Sequence, residues 1–382
     1  MISTTQLPLI QSRPTPFYAY NLALLKETVE ACRSNAAKHG YHVHYALKAN
    51  SNPAILRILA GAGFGADCVS GNEVLFALEN NFAASKTVFA GVGKSDEEIE
   101  QALDANIRCF NCESIEELRV INEIAGRLGK TANVALRINP NVNANTHHYI
   151  TTGLDENKFG INRQQLPQIV EEMKQWNAVK IIGIHFHIGS QITDLDVFKN
   201  LCQRVNEFTR WFAEQRIHLE IINVGGGLGI DYTHPERNQV PDFEAYFDVF
   251  RKFLEVASFQ EVHFELGRAL VAQCGDLISR VLYVKQALKT KFVILDAGMT
   301  ELLRPALYQA KHKLVNLSQS GGEQQLYDVV GPVCESSDSF SKAISLPETS
   351  RGDLFAIRSA GAYGEVMASH YNLRKLKESF FY

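Results

Sequence analysis

Lys48 follows the alternating run His42-Val43-His44-Tyr45, inside Tyr45-Ala46-Leu47-Lys48-Ala49-Asn50. Charged side chains are rarely buried without a partner. A lysine amine desolvated at the end of a half-buried strand has a lowered pKa and can form a Schiff base with an aldehyde. A solvated lysine at a strand end would do no such chemistry, so its neighbours decide. His185 and His187, in His185-Phe186-His187-Ile188-Gly189-Ser190-Gln191, share a face by the two-residue period of a strand. No Asp, Glu or Cys stands close by in sequence to complete a metal site there, and none is expected. His187 suits a neutral imidazole stacked on an aromatic ligand, and Ser190 suits a hydrogen bond to phosphate. Asn223-Val224-Gly225-Gly226-Gly227-Leu228-Gly229 lets backbone N–H groups approach a ligand closely, as a nest for an anion does. Glu265-Leu266-Gly267-Arg268 adds an acid, another glycine and a fork-shaped cation.

The elements that must position these groups follow from the hydrophobic pattern. Strands are expected at His42–Leu47, Gly65–Val69, Lys86–Ala90, Ile107–Asn111, Asn133–Asn139, Lys180–Ile188, Glu220–Val224 and Glu261–Leu266. Helix-period segments separate them: Asn52–Ala60, Gly71–Glu79, Asp96–Ala105, Ser114–Leu128, Arg163–Trp176, Val197–Gln215 and Phe243–Ala257. Ser95 with Glu98, and Ser114 with Glu117, read as capping boxes. Eight strands alternating with helices over ~250 residues predict an α/β fold, a (β/α)8 barrel. A doubly wound sheet would place its glycine-rich loop after the first strand, whereas here it follows the seventh. After about Arg268 the pattern changes to strands punctuated by Gly and Pro: Val281–Val284, Phe292–Asp296, Gln325–Val330 and Asp353–Ile357. The expected division is a barrel over 22–267 and a mostly β domain from 1–21 and 268–382. The extended segment after Pro14-Thr15-Pro16 adds a strand to that second domain.

Composition narrows the function classes. The 382 residues are 46% hydrophobic and 21% charged, as in ordinary globular proteins. A net charge of −4 offers no basic field for nucleic acid. No apolar run is long enough to span a bilayer, and the start carries no signal-peptide pattern. Seven scattered cysteines argue against a disulfide framework and for a cytoplasmic setting. Cys109-x-x-Cys112 has no second pair at zinc-ligand spacing, so strand packing is expected of it.

In a barrel, Lys48 and Glu265 both end strands at the face where catalytic groups gather, and phosphate binds after strands seven and eight. A Schiff-base lysine, a phosphate cradle, an acid for a ring nitrogen and a stacking histidine together fit pyridoxal phosphate.

The motifs around Lys48, His187–Gln191, Gly225–Gly229 and Glu265–Arg268 resemble the pyridoxal-phosphate decarboxylases of alanine-racemase fold. Later segments resemble the diaminopimelate decarboxylases among them: Glu301-Leu302-Leu303-Arg304-Pro305-Ala306-Leu307-Tyr308, Gly331-Pro332-Val333-Cys334-Glu335-Ser336-Ser337-Asp338 and Ser359-Ala360-Gly361-Ala362-Tyr363-Gly364. Tyr149-Ile150-Thr151-Thr152-Gly153 followed by Lys158-Phe159-Gly160-Ile161 fits as well. The resemblance implies decarboxylation of meso-2,6-diaminopimelate to L-lysine, the last step of lysine biosynthesis. It implies Lys48 as the cofactor's anchor, with His187, Ser190, Gly226, Gly227, Glu265, Leu266, Gly267, Arg268 and Tyr363 also binding the cofactor. Arg268, Arg304, Tyr308, Glu335 and Tyr363 would bind substrate. Cys334 would deliver a proton from the partner subunit of a two-fold homodimer with shared sites. Two positions depart from the family pattern: Leu266 replaces the usual Pro, and Asn72 a common Gly. A basic amino-acid or polyamine-precursor decarboxylase would usually place Asp after the cysteine, where this chain has Glu335. A racemase would need a second acid–base group in place of that cysteine. A non-catalytic homologue would not need to keep the substrate residues.

Overall fold

The structure, a computed structural model, describes residues 6–142, 158–319 and 321–382. The Tyr149–Gly153 motif lies outside the described residues. Two compact units emerge: Val29–Gly229 with Asp242–Gly267, and the residues up to Thr28 with Ile230–Pro241 and Arg268–Tyr382.

The first unit is the expected barrel. Its strands are His42–Ala46, Gly65–Cys68, Thr87–Phe89, Cys109–Cys112, Ala132–Arg137, Val179–His185, Ile221–Asn223 and Glu261–Leu266. All pair in parallel in chain order, and the eighth pairs with the first through His42↔His263 and His44↔Glu265. Val88, Cys109, Ala135, Ile182 and Ile221, one from each of five successive strands, make a buried apolar layer inside it. Outside, Phe247 and Phe250 of the helix Phe243–Phe253 pack edge-on against Phe264. Cys109 and Cys112 are buried, and burial pushes the Cys109 thiol up to about 12.

Helix starts follow the side-chain chemistry. Ser95 accepts from Glu98 N while Glu98 bonds back to Ser95 N, a complete capping box for Asp96–Asp104. Ser114 completes only half of one. It accepts from Glu117 N, but the Glu117 carboxylate turns to Lys94 Nζ (2.6 Å) and Glu113 N (2.6 Å). A cation and an amide one residue away outcompete the cap. The helix Leu22–Ala37 has no counterpart in the sequence reading, although Leu25, Val29, Cys32 and Ala36 recur at helical spacing and are buried.

The second unit is a mixed sheet in the order Leu314–Asn316, Leu354–Ile357, Gly275–Gln286, Lys291–Leu295, Gln324–Val330, Ser339–Pro347. Phe17–Tyr20 joins it antiparallel to Gly275–Ile278, as the Pro-rich opening predicts. Ile10, Phe17, Ala19, Ile278, Leu354 and Ala356 form its apolar centre. Three strands escaped the sequence reading, among them the two-residue Phe380–Phe381, which pairs in parallel with Phe17–Tyr20. Leu314–Asn316 is too short to set a period, and Ser339–Pro347 is a polar edge strand that buries only Phe340 and Leu346. Ile230–Pro241 falls inside the 22–267 range expected for the barrel, yet it packs with the sheet unit. Arg268 donates to Tyr232 OH, Lys313 to Glu236, and Gln273 to the Asn238 carbonyl. Among the described residues no helix is long and apolar enough to cross a membrane.

Replacing Ser95 with Ala removes the acceptor of the complete capping box. It is expected to cost about 1 kcal/mol in urea unfolding, with an unchanged slope against denaturant. A loss near zero would show that Glu98 alone holds the helix start.

Candidate active site

The first barrel strand stops at Ala46, and one 3-10 turn, Leu47–Ala49, carries Lys48. Tyr45 OH donates to the Asn50 carbonyl (2.8 Å), which closes this turn. Lys48 therefore sits just beyond the strand rather than on it. Its Nζ lies 3.8 Å from Asp67 Oδ2, on the neighbouring strand. Burial, then the nearby Glu265 charge, push the Asp67 carboxyl well up, while Lys48 pulls the other way. Lys48, Arg137, Phe159, His185, His187 and Glu265 line one cavity of about 420 Å³.

Glu265 ends the eighth strand and is 5% exposed. An isolated carboxylate there would cost several kcal/mol of lost hydration. Its surroundings supply the compensation. Asn111 Nδ2 (3.0 Å) and Asn223 Nδ2 (2.7 Å) donate to Oε1, and His185 Nε2 (2.9 Å) donates to Oε2. Burial alone would raise this carboxyl. His185, by charge and by hydrogen bond, and then Lys48 outweigh it and hold the group far below the usual carboxylate range. A carboxylate accepts at about four lone-pair positions. These three donors leave one on Oε2. Glu265 is therefore built as an ionised acceptor for one more cationic N–H.

His187 lies two residues past the sixth strand. Burial, then the Lys48 and Arg137 charges, pull its imidazole well below the ordinary value, so it is neutral. Arg137 forms a buried ion pair with Glu113, whose Oε2 also accepts from Gly160 N (2.8 Å). This seats the Lys158–Ile161 motif, and the Arg137 guanidinium lies 4.9 Å from the Phe159 ring centre.

The glycine loop is a close-approach device. A Cβ on Gly226 would stand 1.8 Å from the Glu265 carbonyl, and one on Gly225 2.1 Å from the Phe186 carbonyl. Gly225 also has φ +69°. Only bare backbone lets the turns after strands six, seven and eight meet here. Asn223 ties the parts together, since its Oδ1 accepts from Gly225 N (2.9 Å) while its Nδ2 serves Glu265. Ser190 is half-buried, and Leu266 and Gly267 are buried beside Glu265 in sequence. An amine, a neutral ring, an acceptor for a cationic N–H and a backbone cradle fit pyridoxal phosphate.

The sheet unit gathers a second group. Arg268 and Arg304 are buried, and both lie over the Tyr232 ring. Arg268 also covers the Tyr363 ring at 4.9 Å. Arg304 Nη1 donates to His312 Nε2 (2.7 Å), and His312 Nδ1 donates to the Arg358 carbonyl (2.8 Å). Burial, then the Arg304 charge, push His312 down to about 3, so it is a neutral, fixed acceptor. No carboxylate of the described residues pairs with Arg304. Tyr308 ends the short helix that Arg304 begins. Cys334 is the exposed cysteine of the seven; the other six are buried. Glu335, next to it, is exposed and accepts from Tyr371 OH (2.9 Å) rather than from an arginine. Asp338 fixes their loop by accepting from Met299 N and Val333 N.

Several of these residues were missed in sequence: Asn111, Asn223, Asp67, Arg137, Tyr232 and His312. The acid partner that His185 lacks in sequence is Glu265, 80 positions away. Asn223 alone gave a signal, as the polar residue that opens the glycine loop.

Residues 22–272 match the family model described as the pyridoxal binding domain of the pyridoxal-dependent decarboxylases. A diaminopimelate decarboxylase of Bacteroides thetaiotaomicron is 57% identical over 96% of this chain and 95% of its own length. One from Neisseria meningitidis serogroup A is 43% identical over 94% and 87%. The crystal structure of diaminopimelate decarboxylase from Helicobacter pylori complexed with L-lysine superposes with a TM-score of 0.92. It is 41% identical and covers 98% of this chain and 93% of that one. This chain accordingly belongs to the diaminopimelate decarboxylase family of the pyridoxal-dependent decarboxylases.

Proposed function

We propose that this chain decarboxylates meso-2,6-diaminopimelate to L-lysine and carbon dioxide, with pyridoxal phosphate bound in the barrel. The observation that carries the reading is Glu265, a buried carboxylate with one acceptor position left, in the same cavity as the Lys48 amine. Pyridoxal phosphate, when bound, supplies an electron sink for the pair released as the bond to the departing carboxylate breaks.

The residues then divide the work. Lys48 would hold the cofactor covalently through Nζ. Glu265 would accept the N–H of its ring and, being ionised, keep that proton in place. His187, neutral and flat, would lie against the ring. Backbone N–H groups of Gly226, Gly227, Leu266 and Gly267, with Ser190 and Tyr363, would hold the phosphate, and Arg268 would add a charge. Arg268, Arg304, Tyr308 and Tyr363 would bind the substrate's distal carboxylate, and Glu335 its distal ammonium. Arginine suits the carboxylate because its fork can pair bidentately. Binding both distal charges rejects lysine and ornithine, which would leave buried charged groups unmatched. Cys334 would deliver a proton from Sγ to the α-carbon. Its exposure supports a place where a partner subunit completes the site, in a two-fold homodimer of a cytoplasmic enzyme.

Carbon dioxide release should be seen from meso-diaminopimelate and be at least 100-fold slower from ornithine, arginine or lysine, since a site with unmatched charged groups rejects ligands by such factors. Faster release from ornithine would replace this reading with a polyamine-precursor decarboxylase.

Lys48→Ala should lose the near-visible absorbance of lysine-bound cofactor, and Cys334→Ala should keep it while losing turnover. Mixed together, the two inactive variants should recover about a quarter of wild-type activity. Random pairing makes half the dimers mixed, each with one intact site. No recovery from confirmed mixed dimers would place each site within one subunit.

His312→Leu removes the acceptor that orients Arg304. KM for diaminopimelate should rise roughly tenfold, with kcat changed much less, as expected for a lost charged hydrogen bond that acts on binding. An equal fall in kcat at constant KM would remove Arg304 from substrate binding.

A further inference from the structure

The opposite, N-terminal end of the barrel holds a second cluster of chemically active side chains. His42 begins the first strand, and Glu261 and His263 lie on the eighth. One ligand atom from each, a ring nitrogen from both histidines and a carboxylate oxygen from Glu261, lies within 4.8 Å of the other two. His42 and His263 are register partners across the seam where the barrel closes.

Counting protons along the hydrogen bonds fixes what His263 presents to this cluster. His44 Nδ1 lies 3.0 Å from the Lys86 carbonyl, which can only accept, so that nitrogen carries the proton. A buried ring with its proton on Nδ1 offers Nε2 as an acceptor. That Nε2 lies 2.7 Å from His263 Nδ1, which must therefore donate. His263 is 4% exposed. With Nδ1 turned to His44, His263 directs Nε2 toward Glu261 Oε2 at 3.1 Å. A proton or a metal ion must sit between that nitrogen and the carboxylate oxygen.

We propose that His42, Glu261 and His263 bind a divalent transition-metal ion such as Zn2+, which clips the first barrel strand to the last. The separation fits, since ligand atoms of a tetrahedral zinc site lie about 3.3 Å apart. The second shell fits as well: a metal-binding histidine almost always donates its other N–H to a neighbour, as His263 does to His44. His42 is exposed and can rotate the remaining distance. An adjoining pocket of about 370 Å³, lined by His42, His44, Arg108, Glu261 and His263, admits the ion and leaves room for a water ligand. Arg108 Nη2 also reaches Glu261 Oε2 (3.0 Å) and shares or cedes that oxygen. Their side chains are 34% and 44% exposed, and an ion pair so open to water contributes little.

The experiment uses the full-length, cofactor-loaded enzyme after chelator treatment, with Zn2+ alone as the probe. Calorimetry should give one saturable site per chain that His42→Ala weakens at least tenfold, and thermal unfolding should shift upward with Zn2+ in the wild type only. Glu261→Gln should act like His42→Ala, and both should retain the cofactor's absorbance, which shows that the barrel is folded. Equal zinc affinity in wild type and both variants would overturn the proposal and place the metal elsewhere, such as at Cys334. Absence of binding would overturn it too, and would mean that a proton on His263 Nε2 bridges to Glu261.

Discussion

The barrel is organised around keeping one carboxylate charged where water does not reach. Glu265 is buried and ionised, and the hydration it gives up must be returned by donors that cannot turn away. Those donors come from separate strands: Asn111 from the fourth, His185 from the sixth and Asn223 from the seventh. Their placement depends on register. His185 pairs with Asn223, Asn223 with His263, and His44 with Glu265. A slip of one residue in any of these strands would turn its polar side chain out of the interior and put an apolar one against the carboxylate. The apolar layer of Val88, Cys109, Ala135, Ile182 and Ile221 therefore does more than fill space. Its Cys109, Ile182 and Ile221 lie on the same three strands as the donors to Glu265.

Much of this was legible in the sequence, and what was not has a common cause. The eight strands announced themselves because barrel strands are short apolar runs between helix-period segments. Gly225 and Gly226 announced themselves because consecutive glycines are costly unless backbone must approach backbone. Lys48, His187 and Glu265 were legible as charged or titratable groups at strand ends. Asn111 was not, since an asparagine within an apolar run has no reading of its own until its partner is known, and Asn223 showed only as the polar residue before the glycines. Asp67 and Arg137 are of the same kind, each defined by a residue on another strand. His312 was silent because its role is to accept from Arg304, and spacing along the chain does not reveal an acceptor. Single-residue chemistry shows in sequence, whereas pairwise electrostatics waits for the fold.

The sheet unit follows a different rule. In its second group Arg268 and Arg304 lie over aromatic rings, and Arg304 donates to a neutral histidine where a carboxylate could stand. Tyr232 and His312 orient the guanidinium groups without cancelling their charge. Had Asp or Glu filled the place of His312, Arg304 would be neutralised within the protein and would have little left for an anion. The segment Ile230–Pro241, which departs from barrel packing, brings Tyr232 to this cluster. It leads from the glycine loop after the seventh strand into the helix Phe243–Phe253.

The two ends of the barrel use the same residue pair in opposite ways. At the C-terminal end His185 meets Glu265, and two asparagines join them, so the carboxylate is nearly saturated by donors and its charge is fixed. At the N-terminal end His263 meets Glu261, but the neighbouring ring is His44, which already spends its one proton on the Lys86 carbonyl. There Arg108 donates to the carboxylate, while the His263 Nδ1 side is turned away from it to His44. One histidine–glutamate pair thereby has its carboxylate enclosed by buried donors, and the other leaves its carboxylate 44% exposed. The difference comes from second neighbours, two asparagines against one histidine, and not from the pair itself.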